Sequence, residues 1–160
     1  MQIKYKDMPH IKPLPIETKS KGFFGGIYLW LVTTRKWQLV ADWHFTLDST
    51  KYVIPKGFVF DGASVPKYFR SWLSPTGVLL LGGLCHDFLY KHEVLLLAGK
   101  KKATSKKTQK WCDQTFRDIN IDINGFKIIN YGAYYALRLG GWLAWRKHRK
   151  VNAHWKDSLK

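Results

Sequence analysis

The feature that most constrains this chain is Gly82-Gly83-Leu84-Cys85-His86-Asp87-Phe88-Leu89-Tyr90, in which a histidine and an aspartate sit side by side within an apolar run. Burying such a pair is costly unless each group finds a partner. On a helix, Tyr90 lies one turn beyond His86 and Asp87, so the three polar groups crowd one side. A second stretch with helical character, Lys110-Trp111-Cys112-Asp113-Gln114-Thr115-Phe116-Arg117, carries Asp113 among aromatic residues. Packed antiparallel, two such helices would set Asp113 against His86. That is a base with its orienting acid, and Asp87 is left over to hold a metal.

The remaining chain reads as a scaffold of the α+β class, a small antiparallel sheet first and helices afterwards. At 160 residues one domain over 1–160 is expected. Residues 1–26, with Pro9, Pro13 and Pro15 and then Gly22 to Gly26, suggest an extended arm with a short strand at Gln2 to Tyr5. Residues 27–60 suggest a β-meander: Ile27 to Val32, a turn at Thr33 to Lys36, Trp37 to Leu47, then Lys51 to Ile54 and Gly57 to Phe60 divided by Pro55. Residues 61–150 form the helical part. Asp61-Gly62 is turn chemistry, and a short helix follows over Lys67 to Leu73. The His86 helix is placed from Val78 to Lys91, and residues 92–107 as a helix end running into a basic loop. The Asp113 helix is placed from Ser105 to Asn120, and a last helix from Phe126 to Lys150 after an Asn124-Gly125 turn. Residues 151–160 read as a tail.

Lys and Arg total 27 against 11 Asp and Glu, a formal net charge of +16. This favours polyanionic partners: anionic phospholipid or a membrane surface, nucleic acid, or acidic cell-wall polymers. The basic clusters are Lys100 to Lys110 and Arg146 to Lys150, and no nucleic-acid recognition motif accompanies them. The last helix, with its tryptophans and a basic end, also fits an interfacial anchor on anionic lipid, although a helix of this Trp and Tyr content is more often core or subunit interface. The N-terminus Met1 to Asp7 lacks an apolar core of signal-peptide length, and no run has clean transmembrane length. Cys85 and Cys112 flank the two key residues, either as a disulfide across the helix pair or as two buried thiols.

Acidic residues are scarce, so the placement of Asp61, Asp87 and Asp113 beside apolar or glycine residues is informative. A histidine held by a buried carboxylate can take a proton from water. A neighbouring carboxylate can bind a hard cation such as Ca2+, with backbone carbonyls and a second carboxylate completing the shell. The cation would polarise a carbonyl and hold the developing oxyanion. His86, Asp113, Asp87 and Asp61 supply those parts, and Tyr90 can fix Asp113 through its hydroxyl. The plainer reading makes His86 a core histidine satisfied by Asp113, with Asp87 paired to Arg117 or Lys91.

His86-Asp87-Phe88-Leu89-Tyr90 resembles the His-Asp-x-x-Tyr motif of secreted phospholipases A2, closest to the bacterial branch. In that family a second antiparallel helix supplies the aspartate, in a context similar to Cys112-Asp113-Gln114-Thr115-Phe116-Arg117-Asp118. An Asp-Gly-Cys turn ahead of the histidine is similar to Asp61-Gly62-Ala63, with alanine here in place of cysteine. The resemblance implies that His86 is the base, Asp113 its partner, and Asp61, the Gly62 carbonyl and Asp87 the Ca2+ ligands. A second resemblance covers about residues 50–145. Gly57-Phe58-Val59-Phe60-Asp61-Gly62-Ala63-Ser64-Val65-Pro66, His86 to Tyr90, Asp113, Phe116 and the stretch from Arg138 to Trp145 look like a family of small proteins of uncharacterised function from tailed bacteriophages. It implies a phage origin, and so a place in the virion, beside other virion proteins, or in the host cytoplasm.

The expected function is therefore a Ca2+-assisted ester hydrolase of phospholipase A2 type, with membrane penetration as a role in the virion. Two alternatives stand beside it. One is a non-enzymatic virion or tail structural protein. The other is a metal-dependent cell-wall hydrolase, for which His92 and Asp61 are the available extra ligands. A His-Asp superfamily nuclease would need His44, which falls in a strand-like stretch.

Overall fold

A computed structural model of the chain describes residues 1–15, 22–32, 36–61, 79–99 and 102–151. Among these residues the strands form two antiparallel sheets. In one, the order is β1 (Ile3–Tyr5), β4 (Trp43–Leu47), β5 (Thr50–Ile54) and β7 (Leu96–Leu97); in the other it is β2 (Ile11–Pro13), β3 (Trp37–Leu39) and β6 (Val59–Phe60). The β4–β5 hairpin turns on two residues, Asp48 at φ 45° and Ser49 at φ 70°, the left-handed pair that matches strand twist. Its register pairs Trp43 with Ile54 and Phe45 with Tyr52. Alternation then buries Trp43, Phe45 and Leu47 on one face and leaves His44 exposed.

Among the described residues, four helices accompany the sheets: α1 (Gly22–Val32), α2 (Leu80–His92), α3 (Gln109–Asn124) and α4 (Lys127–Val151). Every residue of α2 from Leu80 to Tyr90 is buried, because one flank meets the sheets and the others meet α3 and α4. Phe58 and Phe88 meet edge to face at 5.0 Å between ring centres. Leu84, Cys85, Leu89, Cys112 and Ile119 join Ile54, Phe45 and Phe60 in one core. Thr108 caps α3 by accepting from the Trp111 amide at 3.2 Å, and Gly125 closes it at φ 71°.

Several expectations need correction. Ile27 to Val32 is helical within α1, and Gly22 to Gly26 open that helix instead of loosening the chain. A continuous apolar run has no period that separates strand from helix. Within residues 1–15 of the expected extended arm, β1 and β2 are edge strands of the two sheets, and Pro13 sits where an edge tolerates it. Trp37 to Leu47 breaks into β3 and β4, which belong to different sheets. Residues 92–107 hold β7, which pairs with β5 and, through Leu96, with Ala103. The α3 helix begins at its Thr108 cap rather than at Ser105 and continues past Asn120 to Asn124. The short helix expected over Lys67 to Leu73 lies outside the described residues.

The helix pair is antiparallel, since rising numbers on α2 meet falling numbers on α3: Gly82 faces Asn120, His86 faces Asp113, and Tyr90 faces Gln109. A Cβ on Gly82 would lie 2.4 Å from the fully buried Asn120 amide, so this crossing requires glycine. Gly82→Ala is expected to destabilise the fold by about 1–3 kcal/mol through overpacking. At the exposed position Gly132 on α4, by contrast, a Cβ meets nothing within 4 Å. Gly132→Ala should stabilise by about 0.5–1 kcal/mol through reduced backbone entropy in the unfolded chain. Paired urea melts decide; equal effects at the two sites would contradict the packing described.

Candidate active site

The site is assembled on one carboxylate. Asp113 is fully buried, and both its oxygens are taken. His86 Nε2 lies 3.1 Å from Oδ1, and the Tyr90 hydroxyl donates to the same oxygen at 2.5 Å. Arg138, from α4, donates to Oδ2 at 2.7 Å. A buried carboxylate in such a place must be compensated by donors, and the two helices packed on α3, α2 and α4, provide them. Their placement follows from helical spacing: His86 and Tyr90 are one turn apart on α2, with ring centres 4.0 Å apart. Gln109, in the first turn of α3, donates to the Tyr90 hydroxyl at 3.2 Å.

Gly141 lets α4 approach closely enough for this arrangement, since a Cβ there would stand 2.5 Å from the Tyr90 hydroxyl. Farther along α4, Arg149 donates to the Tyr90 carbonyl, and it pairs with Glu93 at 2.7 Å. Trp145 packs edge-on against the Tyr90 ring at 5.2 Å. The last helix thus clamps the carboxyl end of α2.

The second nitrogen of His86, Nδ1, faces the Asp87 carboxylate at 3.6 Å, beyond a good hydrogen bond. Burial disfavours the imidazolium, but Asp113 and Asp87 outweigh it and hold the His86 pKa above the usual histidine value. Burial also pushes Asp113 upward, and the hydrogen bonds from His86, Tyr90 and Arg138 more than reverse it, so this group stays below its ordinary value. The Tyr90 phenol is raised by burial and by Asp113, and therefore remains a donor. Asp87 behaves differently. Burial pushes it up to about 7; His86 opposes the rise and Asp61 adds to it.

The expected site residues therefore divide into two groups. His86, Asp113 and Tyr90 come together directly. Asp87 adjoins His86, and Asp61, at the end of β6, acts electrostatically on Asp87, as does Lys91. Gly62 lies outside the described residues. For Ca2+, the donor chemistry of the two carboxylates is suitable, and the buried Asp87 Oδ2 has no hydrogen-bond partner among the described residues. Among those residues, no cluster of three or more His, Cys, Asp and Glu side chains is placed to hold a metal. The other ligands considered for zinc or nuclease chemistry are dispersed: His92 packs on Phe88 at 4.7 Å and on Phe58 at 5.9 Å, and His44 is exposed on β4.

The alternative partner Arg117 does not serve Asp87. It pairs with Asp118 at 2.6 Å and lies over Tyr131 and Tyr134. Lys91 donates to the Val59 carbonyl and lies 5.0 Å over Phe58. Cys85 and Cys112 are two buried free thiols rather than a disulfide, and burial pushes Cys112 up to about 12. Such thiols are inert packing groups. Sequence reasoning missed Arg138 and Gln109. Arg138 carried a signal, as the one charged residue between Lys127 and Arg146 in a long apolar stretch.

Fold and site together define an α+β protein with a buried histidine–aspartate dyad braced by a tyrosine and an arginine. Residues 37–136 match the DUF1353 family, described as a protein of unknown function, and the chain belongs to it. No curated protein and no solved structure matches the chain.

The shared carboxylate makes a quantitative prediction. Asp113→Asn should destabilise by about 3 kcal/mol, because Arg138 and His86 lose their anion. Tyr90→Phe should cost about 1–2 kcal/mol. Since the hydroxyl acts on Asp113, the double variant should cost clearly less than the sum. Strict additivity in chemical denaturation would mean that the two groups do not share one interaction.

Proposed function

We propose that this chain is a phage-encoded ester hydrolase of phospholipase A2 type, assisted by Ca2+ and acting on phospholipid. The observation that carries the reading is the orientation of His86. Its Nε2 is held against buried Asp113, 3.1 Å away, which leaves Nδ1 as the nitrogen that would take a proton. In the reaction, Nδ1 would remove a proton from water as the water adds to the ester carbonyl, and would later return it to the departing alkoxide. Asp113 would hold the ring and stabilise the imidazolium, while Tyr90 and Arg138 keep that carboxylate fixed. Asp61 and Asp87 would hold the Ca2+, which when bound supplies electrophilic polarisation of the carbonyl. The resemblance to tailed-bacteriophage proteins supports a phage origin, and a virion location would give such an activity a use in membrane penetration.

A second reading has its own support. His86 is only 5% exposed and Asp113 is wholly buried, so the cluster also serves as a polar lock among three helices. A virion or tail structural protein would need only that.

The test is fatty-acid release from phosphatidylglycerol vesicles with Ca2+. His86→Ala should lower the rate by about a hundredfold or more while circular dichroism shows the variant still folded, at a lower melting temperature because Asp113 loses a donor. Asp87→Asn should lose the Ca2+ dependence and the binding heat seen by calorimetry. A folded wild type that binds no Ca2+ and releases no fatty acid would favour the structural reading, and wild-type rates in His86→Ala would remove the base.

A further inference from the structure

The α4 helix is apolar on two sides. Its inner side packs Asn130, Ala133, Tyr134 and Gly141 against the α2–α3 pair. Its outer side carries Ile128, Tyr135, Leu139, Trp142 and Leu143, at spacings that fall on one stripe of a helix. These residues are exposed, Ile128 to 91% and Leu139 to 81%. The stripe continues into Arg146 and Lys150, and α4 contains no acidic residue. Arg146 lies 5.0 Å over the Trp142 ring, where the apolar and cationic parts meet. Large exposed apolar faces of this kind mark interaction surfaces.

We propose that the outer face of α4 docks flat on an anionic lipid bilayer. The assignment stands apart from the hydrolase reading, since it does not require His86 to react. Charge decides among the occupants. A second copy of this chain would bring another +16 against the first. A nucleic acid would satisfy Arg146 and Lys150 but leave Ile128 to Leu143 in water. An anionic bilayer accepts both parts: apolar side chains enter the acyl boundary, Trp142 sits at the interface, and the basic end meets headgroups. No helix among the described residues is long and apolar enough to cross a membrane, which matches lying on it.

The experiment is co-sedimentation of the full chain with vesicles of ether-linked phosphatidylglycerol, beside ether-linked phosphatidylcholine. Ether linkage leaves no ester to cleave, so docking and hydrolysis fail or succeed separately. Wild type should partition onto the anionic vesicles and be released by salt. Leu139→Glu and Ile128→Glu, each on an exposed position, should weaken partitioning by about tenfold or more with unchanged circular dichroism. Three results would overturn the assignment: equal partitioning of the variants, a wild-type dimer by light scattering that Leu139→Glu dissociates, or retention on single-stranded DNA lost in Leu139→Glu without any vesicle binding.

Discussion

The described structure turns on the burial of a single carboxylate. Asp113 has no access to water, and an isolated charge in that position would be prohibitively costly. Its two oxygens therefore require donors, and these arrive from α2 through His86 and Tyr90 and from α4 through Arg138. Much of the surrounding sequence serves this demand. Gly82 allows α2 and α3 to cross closely, and Gly141 admits the Tyr90 hydroxyl to the α4 backbone. Arg149 then fixes the end of α2 through the Tyr90 carbonyl and Glu93. The sheets supply the apolar wall against which α2 rests.

One arrangement can serve both stability and chemistry, and the two uses make different demands on His86. As a lock, the histidine needs only its Nε2 contact. As a base, it must also keep Nδ1 available beside a site for substrate, and there it faces Asp87, a carboxylate raised to about 7 by burial. The carboxylates of Asp87 and of Asp61, which acts on it, are the part of the site that a simple structural lock would not need. The outer face of α4 points to a separate role at a surface, one that the core does not explain.

The dyad was legible because its logic is local: His86 and Tyr90 share a face by helical spacing, and Asp113 stands out as an acid among aromatics on a second helix. The α4 boundaries were legible as well, within a residue or so of Lys127–Val151. What could not be read depended on partners distant in sequence. Ile27 to Val32 has the composition of a strand, yet α1 is where it lies, because nothing in a uniform apolar run fixes its period. The split of Trp37 to Leu47 depends on β2 and β6 claiming β3 while β1 and β5 claim β4. Arg138 was visible as an odd charge, but its partner lies on another helix. Both sides of α4 carry large apolar or aromatic residues, so only packing reveals which side is left exposed.

The most direct test of the central claim is a nitrogen-15 NMR titration of the His86 imidazole, in wild type and in Asp113→Asn. The account predicts that neutral His86 carries its proton on Nε2, toward Asp113, with Nδ1 unprotonated. It also predicts a pKa above the ordinary 6.5 that falls when Asp113 loses its charge. A neutral ring protonated on Nδ1, or a pKa unchanged by Asp113→Asn, would contradict it.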